Sequence, residues 1–257
     1  MRWAPLVMLV GCDRLAAAGD LLDGYGDNTV IQGLFLGADV PGNISIPPES
    51  GIYTAACKVF LAQVDDASSF EDSPLAGAEV KFDSDPTGLL PFEEDGEEDG
   101  KYLLTSLEDL AYEPGELATI RFNTGGDDGQ VQVRAPEAPE VEVPNNPKAG
   151  EPLRVKVTEG DFANVVAAVY DYDHEKLVWD NLPDDVGSAY DLNEQGVDDP
   201  IRELVIPGDA VKRPATYIIG VGGLQVADSS GFEGANTAYS TFAAARLAIR
   251  FVVISKE

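Results

Sequence analysis

Histidine and cysteine are almost missing from this chain: 257 residues hold one histidine, His174, and two cysteines, Cys12 and Cys57. A Ser-His-Asp arrangement would have to use His174. The nucleophile signature Gly-x-Ser-x-Gly does not occur, nor does His-Glu-x-x-His or any paired Cys/His spacing suited to zinc. Basic residues are scarce as well, with 17 Lys and Arg against 46 Asp and Glu, a net charge of −29. A surface of that sign repels phosphate, which argues against nucleic acid as a partner and against peripheral binding to anionic lipid. Charges and glycines interrupt every apolar run, so none approaches the ~20 residues of a membrane-spanning helix. No amphipathic helix of ordinary length is legible either.

What is abundant is strand pattern. Residues 30–36, 53–64, 78–82, 101–105, 117–122 and 130–134 are short, rich in β-branched or aromatic residues, and bounded by Gly, Pro, Asp or Asn. Val80-Lys81-Phe82 and Val131-Gln132-Val133 alternate apolar with polar, as strands with one wet face do. A second set follows at 153–157, 163–172, 176–179, 201–206, 216–226 and 243–254. The last is expected to open with a helical turn and finish as a strand, and the glycines of 220–223 suggest a β-bulge. Between the sets lie Pro136, Pro139, Pro144 and Pro147 with interleaved acids, which favour an extended linker, although Val141-Glu142-Val143 has the alternation to pair with a sheet edge. The expectation is an all-β chain of two β-sandwich domains in tandem, residues 28–144 and 145–257. An apolar fraction of 44% is enough to fill their cores.

The N-terminus carries the most specific motif. Met1-Arg2 supplies a charge, residues 3–10 are apolar, and Leu9-Val10-Gly11-Cys12 follows. This resembles the lipobox of bacterial lipoprotein precursors. The resemblance implies that residues 1–11 are a signal peptide, that Cys12 becomes a lipidated N-terminus, and that residues 12–27 are a tether. It also implies a cell-envelope location, on the outer membrane or the periplasmic face of the inner membrane. Asp13 after the cysteine is the residue type that favours the inner membrane in some such sorting systems. Two further stretches resemble domain families. Leu75 and Ala76 through Val80-Lys81-Phe82, with Gly100-Lys101-Tyr102 and the segment 112–122, are similar to carboxypeptidase-regulatory or transthyretin-like sandwiches, apart from a long acidic insertion at 83–100. Residues 149–157, 169–171 and 205–221, with Thr216-Tyr217 opening a late strand, are similar to fibronectin- or immunoglobulin-like modules. Both resemblances imply sandwich geometry and no particular activity.

Carboxylates are the chemistry on offer. The pairs Asp83 and Asp85, Asp171 and Asp173, and Asp184 and Asp185 are candidate calcium ligands, calcium being a hard ion that takes six to eight oxygens. None completes an Asp-x-Asp-x-Asp-Gly loop with a distal Glu. The run at residues 93–99 reads as a solvated, self-repelling loop. Acids are spread along the whole chain, which fits a hydrated surface or adaptation to saline surroundings better than one cation site. His174, in the polar run 171–176, reads as a hairpin tip. Cys57, with Lys58 on the opposite face of its strand, reads as a small buried hydrophobe. Trp179 and Tyr190 flank the Asp-rich loop after Tyr170 and Tyr172, an arrangement that stacks on sugars or, more commonly, anchors a core. No catalytic residue is assigned. The expected role is non-catalytic, structural or interactive, with an envelope protein or a glycan as partner and no cofactor. A calcium- or glycan-binding surface module is the alternative. A hydrolase using two carboxylates is the third reading, and nothing in the spacing singles out such a pair.

Overall fold

The computed structural model describes residues 29–41, 53–63, 73–96, 98–160, 162, 164–181, 202–237 and 239–255. The segments expected to be signal peptide and tether, with Cys12, lie outside them, as do Asp184, Asp185 and Tyr190. Every regular element of the described chain is a strand, apart from short 3₁₀ turns at Ser106–Glu108 and Ser229–Gly231. The all-β expectation therefore holds.

Eight strands form one sheet: β1 (Thr29–Asp39), β2 (Ala55–Gln63), β5 (Glu93–Glu94), β6 (Lys101–Thr105), β11 (Val165–Asp171), β12 (Lys176–Asp180), β14 (Ala215–Val226) and β16 (Thr241–Ile254). Their order is β12-β11-β14-β16-β1-β2-β6-β5. A five-stranded sheet holds β3 (Glu79–Ser84), β4 (Gly88–Pro91), β7 (Leu117–Asn123), β8 (Asp128–Arg134) and β15 (Phe232–Glu233), in the order β15-β8-β7-β3-β4. A three-stranded sheet holds β9 (Glu140–Glu142), β10 (Leu153–Glu159) and β13 (Glu203–Ile206), in the order β13-β10-β9.

Both smaller sheets lie on one face of the large one. Side chains alternate along a strand, so the even-numbered residues of β16 share a face. Phe242 and Ala244 join the core beneath the five-stranded sheet with Phe35, Val59, Phe82 and Ile120. Ala248, Val252 and Ile254 join the core beneath the three-stranded sheet with Val155, Val169, Tyr217 and Ile219. Two sandwiches thus share one sheet. The expected split into 28–144 and 145–257 matches neither exactly. β9 belongs to the second sandwich, while β15 and half of β16 belong to the first. The opposite face of the shared sheet is also apolar and buried, with Val166, Ile218, Ala245, Leu247 and Ile249 among its members, and no described strand lies over it.

Local expectations fare unevenly. β10 alternates cleanly, with Leu153, Val155 and Val157 inward and Arg154 and Lys156 exposed. β16 is extended from Thr241 onward, so the segment 243–254 does not open with the expected helical turn. The central position decides this: both neighbours, β1 and β14, claim its backbone groups. The glycines at 220–223 form no bulge, since β14 pairs with β16 in unbroken register from Ala215 to Val226. They make room for neighbours instead. A Cβ on Gly222 would sit 2.8 Å from Leu247 Cδ2, and one on Gly223 would overlap the Phe162 ring. The described part of the acidic stretch after β3 contributes two short strands. β4 pairs with β3, the chain changes sheets at buried Phe92, and β5 pairs with β6. Glu94 holds that crossing, accepting hydrogen bonds from Gly77 N–H and Gly100 N–H, each at 2.8 Å.

Candidate functional site

His174 sits in the turn between β11 and β12, as expected of a hairpin tip. Asp171, the last residue of β11, turns a nearly buried carboxylate back on it. Oδ1 accepts the His174 N–H at 3.1 Å, and the two oxygens lie 3.0 and 2.9 Å from His174 Nδ1. The carboxylate is 6% exposed and the imidazole 50%. Asp173 Oδ2 accepts the Thr216 N–H at 2.9 Å and ties the turn to β14. Tyr217 pairs opposite Asp171, and its hydroxyl donates to Arg213 O at 3.1 Å. Burial and then the Asp171 charge push the Tyr217 phenol up from its ordinary value. The histidine and both aspartates are thus engaged in holding the turn, and the tyrosine hydroxyl in the segment that leads into β14.

Asp83, on β3, is ion-paired with Arg121 of β7, whose Nε and Nη2 donate to Oδ2 at 3.2 and 3.0 Å. Asp85 is exposed in the turn that follows. Among the described residues no group of three or more His, Cys, Asp or Glu side chains could hold a metal ion. Cys57 is fully buried in β2, and burial pushes its thiol well above the ordinary value. Trp179 is partly buried against the second core, while Tyr172 is exposed and meets Phe251 edge-on at 6.4 Å.

The joint between the sandwiches supplies the recess that sequence reasoning missed. A cleft of about 580 Å³ opens where the chain crosses from β8 to β9 and from β14 to β15. Arg134, Glu137, Gln132, Gln225, Asp228 and Ser230 line it. Asp228 accepts the Ser230 N–H at 2.8 Å and also meets the Ser230 hydroxyl, and those hydrogen bonds hold its carboxyl below the usual range. Beside the cleft Tyr112 closes the joint. Its ring lies 4.6 Å from that of Phe35, covers Gly37, and donates its hydroxyl to Pro136 O at 2.9 Å. No motif signals this recess, because its walls come from residues 115–137 and 225–231, which are distant in the chain. Chemically it offers hydrogen-bonding and charged groups of both signs to a small polar ligand. A second recess of about 480 Å³ lies over the polar outer face of the five-stranded sheet, around Lys81, Arg121 and Gln130.

No family model matches the chain, and no curated protein does. Among solved structures, the chain is similar to the FN1–FN3 domains of chicken CNTN1 at 11% identity and a TM-score of 0.26, covering 91% of this chain and 66% of that one. It is also similar to trypsin-activated alpha-2-macroglobulin from Escherichia coli at 12% identity and a TM-score of 0.24, covering 98% of this chain and 17% of that one. The chain thus spans about two thirds of the former and less than a fifth of the latter. Its β-sandwich architecture stands on its own sheets and cores.

Proposed function

We propose that the chain is a lipid-anchored protein of the bacterial cell envelope that presents a rigid pair of sandwiches at a membrane and works by non-covalent interaction. The observation that carries this reading is the pair of cysteines. Leu9-Val10-Gly11-Cys12 has the form of a lipobox, and Cys57, the other cysteine, is sealed in the core of the first sandwich. A disulfide to Cys12 would require that core to open, which leaves Cys12 available for acylation. A single acyl chain binds a membrane only marginally, so the reading requires more than one. The non-catalytic part is supported by the engagement of His174, Asp171, Asp173 and Asp83 in turn and strand contacts.

The test is the intact mass of the protein purified from membranes, with Cys12→Ala as control. A chain beginning at Cys12 with added lipid mass supports the anchor, and an unmodified chain retaining Met1 ends it. The joint cleft, polar and bearing charges of both signs, favours a glycan-binding module as the second reading. Affinity electrophoresis in polysaccharide gels, compared between the native chain and Arg134→Ala, tests that reading. Equal mobility with and without polysaccharide removes it.

A further inference from the structure

Among the described strands, β16 alone is built into both sandwiches. It pairs in parallel with β1 from Gln32↔Thr241 to Asp39↔Ala248, and antiparallel with β14 over all of Ala215–Val226. It places Phe242 and Ala244 in the first core and Ala248, Val252 and Ile254 in the second. Ala243, Ala245, Leu247 and Ile249 belong to the buried opposite face. The segment leading into it clamps the start of β1: Asn236 N–H donates to Thr29 O at 2.8 Å, and Ser240 Oγ accepts the Ile31 N–H at 3.1 Å across 209 residues of chain. Without β16 the large sheet separates into β12-β11-β14 and β1-β2-β6-β5. Each fragment then has a raw strand edge, β1 on one side and β14 on the other, and each core lacks part of its floor.

We propose that β16 is a folding gate: neither sandwich reaches native packing until β16 docks between β1 and β14. Chains emerge N-terminus first, and contacts between distant segments must bear the closure entropy of all the chain between them. β1 therefore waits some two hundred residues for its central partner, and the described strands made before β16 stay open in the meantime. In an envelope protein that delay keeps the chain threadable while it crosses a membrane, a role that rests on the lipid-anchor reading above. The gate itself does not rest on it.

Pulse-labelling hydrogen exchange during refolding of the full chain from urea, read by mass spectrometry of peptic fragments, tests the gate. Fragments from β2, β3, β7 and β8 and fragments from β10, β11 and β14 are expected to gain protection in one shared phase with the β16 fragment. Protection of either group while β16 still exchanges freely overturns the proposal. A mild variant guards against simple failure to fold. Val252→Ala touches only the second core, and at equilibrium it is expected to lower protection of β7 and β8 by the same factor as that of β10 and β14. A loss confined to β10 and β14 also overturns the gate. A single refolding phase in a protein whose mature mass shows no lipid on Cys12 upholds the gate and removes only its export role.

Discussion

Gly37 is the sharpest place to perturb the joint between the sandwiches. It lies in β1 directly under Tyr112, and an added Cβ would sit 2.7 Å from both Cδ1 and Cδ2 of that ring, where carbon atoms prefer roughly 3.5–4.0 Å. The ring cannot step aside cheaply. Phe35 stacks against it at 4.6 Å and its hydroxyl is held by Pro136 O. At an open strand position, alanine in place of glycine would gain roughly 0.5–1 kcal/mol from backbone entropy. Here overpacking should reverse the sign and cost about 1–3 kcal/mol, and in a chain of this size each kcal/mol lowers the melting temperature by roughly 2–4 °C. Tyr112→Ala alone should cost about 3–5 kcal/mol through lost burial. In the double variant the clash has no partner, so the summed cost should fall short of additivity by at least about 1 kcal/mol. Urea unfolding of the four proteins, with midpoints compared at constant slope, measures the cycle. Additivity within about 0.5 kcal/mol, or a Gly37→Ala variant no less stable than the parent, would falsify the account of Tyr112 as the element that closes the joint.

Four other outcomes follow. Phe242→Ala removes a fully buried ring from the first core and should cost about 3–5 kcal/mol by urea unfolding; a cost under about 1 kcal/mol would place the ring outside the core. Asp171→Asn weakens the acceptor that holds His174 and should cost roughly 1–3 kcal/mol, whereas His174→Ala, half exposed in the parent, should cost less; the reverse order would refute the assignment of Asp171 as the organiser of the turn. The buried Cys57 thiol keeps its proton in the fold above the ordinary value of 9.0, while the unfolded chain loses it. The unfolded state then binds fewer protons, so stability is full below pH 9 and should fall as pH rises past it, less steeply in Cys57→Ala; a stability that rises between pH 9 and 10 contradicts that burial. With a net charge of −29, sodium chloride raised from about 0.05 to 1 M should increase the melting temperature by screening self-repulsion, and calcium and magnesium at equal ionic strength should act alike. A rise with calcium alone would reveal a specific calcium site.

Much of the fold was legible before any tertiary contact was known. Residues 101–105 become β6 without change, and 117–122, 130–134 and 153–157 become β7, β8 and β10 with ends shifted by at most two residues. Alternation and turn residues are local signals, and these strands each have one wet face. The candidate site was legible only in part. His174 was placed at its hairpin tip and Cys57 in the core. The cleft at the joint, the pairing of Asp83 with Arg121 and the role of Glu94 in the sheet crossing carried no sequence signal, because each brings together residues from separate segments.

The same division separates what sequence and tertiary structure each decided. Composition and periodicity by themselves determined that this is an acidic all-β protein with a lipobox-like N-terminus, since net charge, strand alternation and a four-residue motif need no knowledge of neighbours. That the first described strand pairs with the last, that two sandwiches share a sheet, and that the glycines of β14 make room for Leu247 and Phe162 where a bulge was expected was decided only in three dimensions. The physical reason is that the backbone groups of β1 and β16 are alike at every position. Which strands become neighbours depends on the cores they jointly close, here across 209 residues of chain.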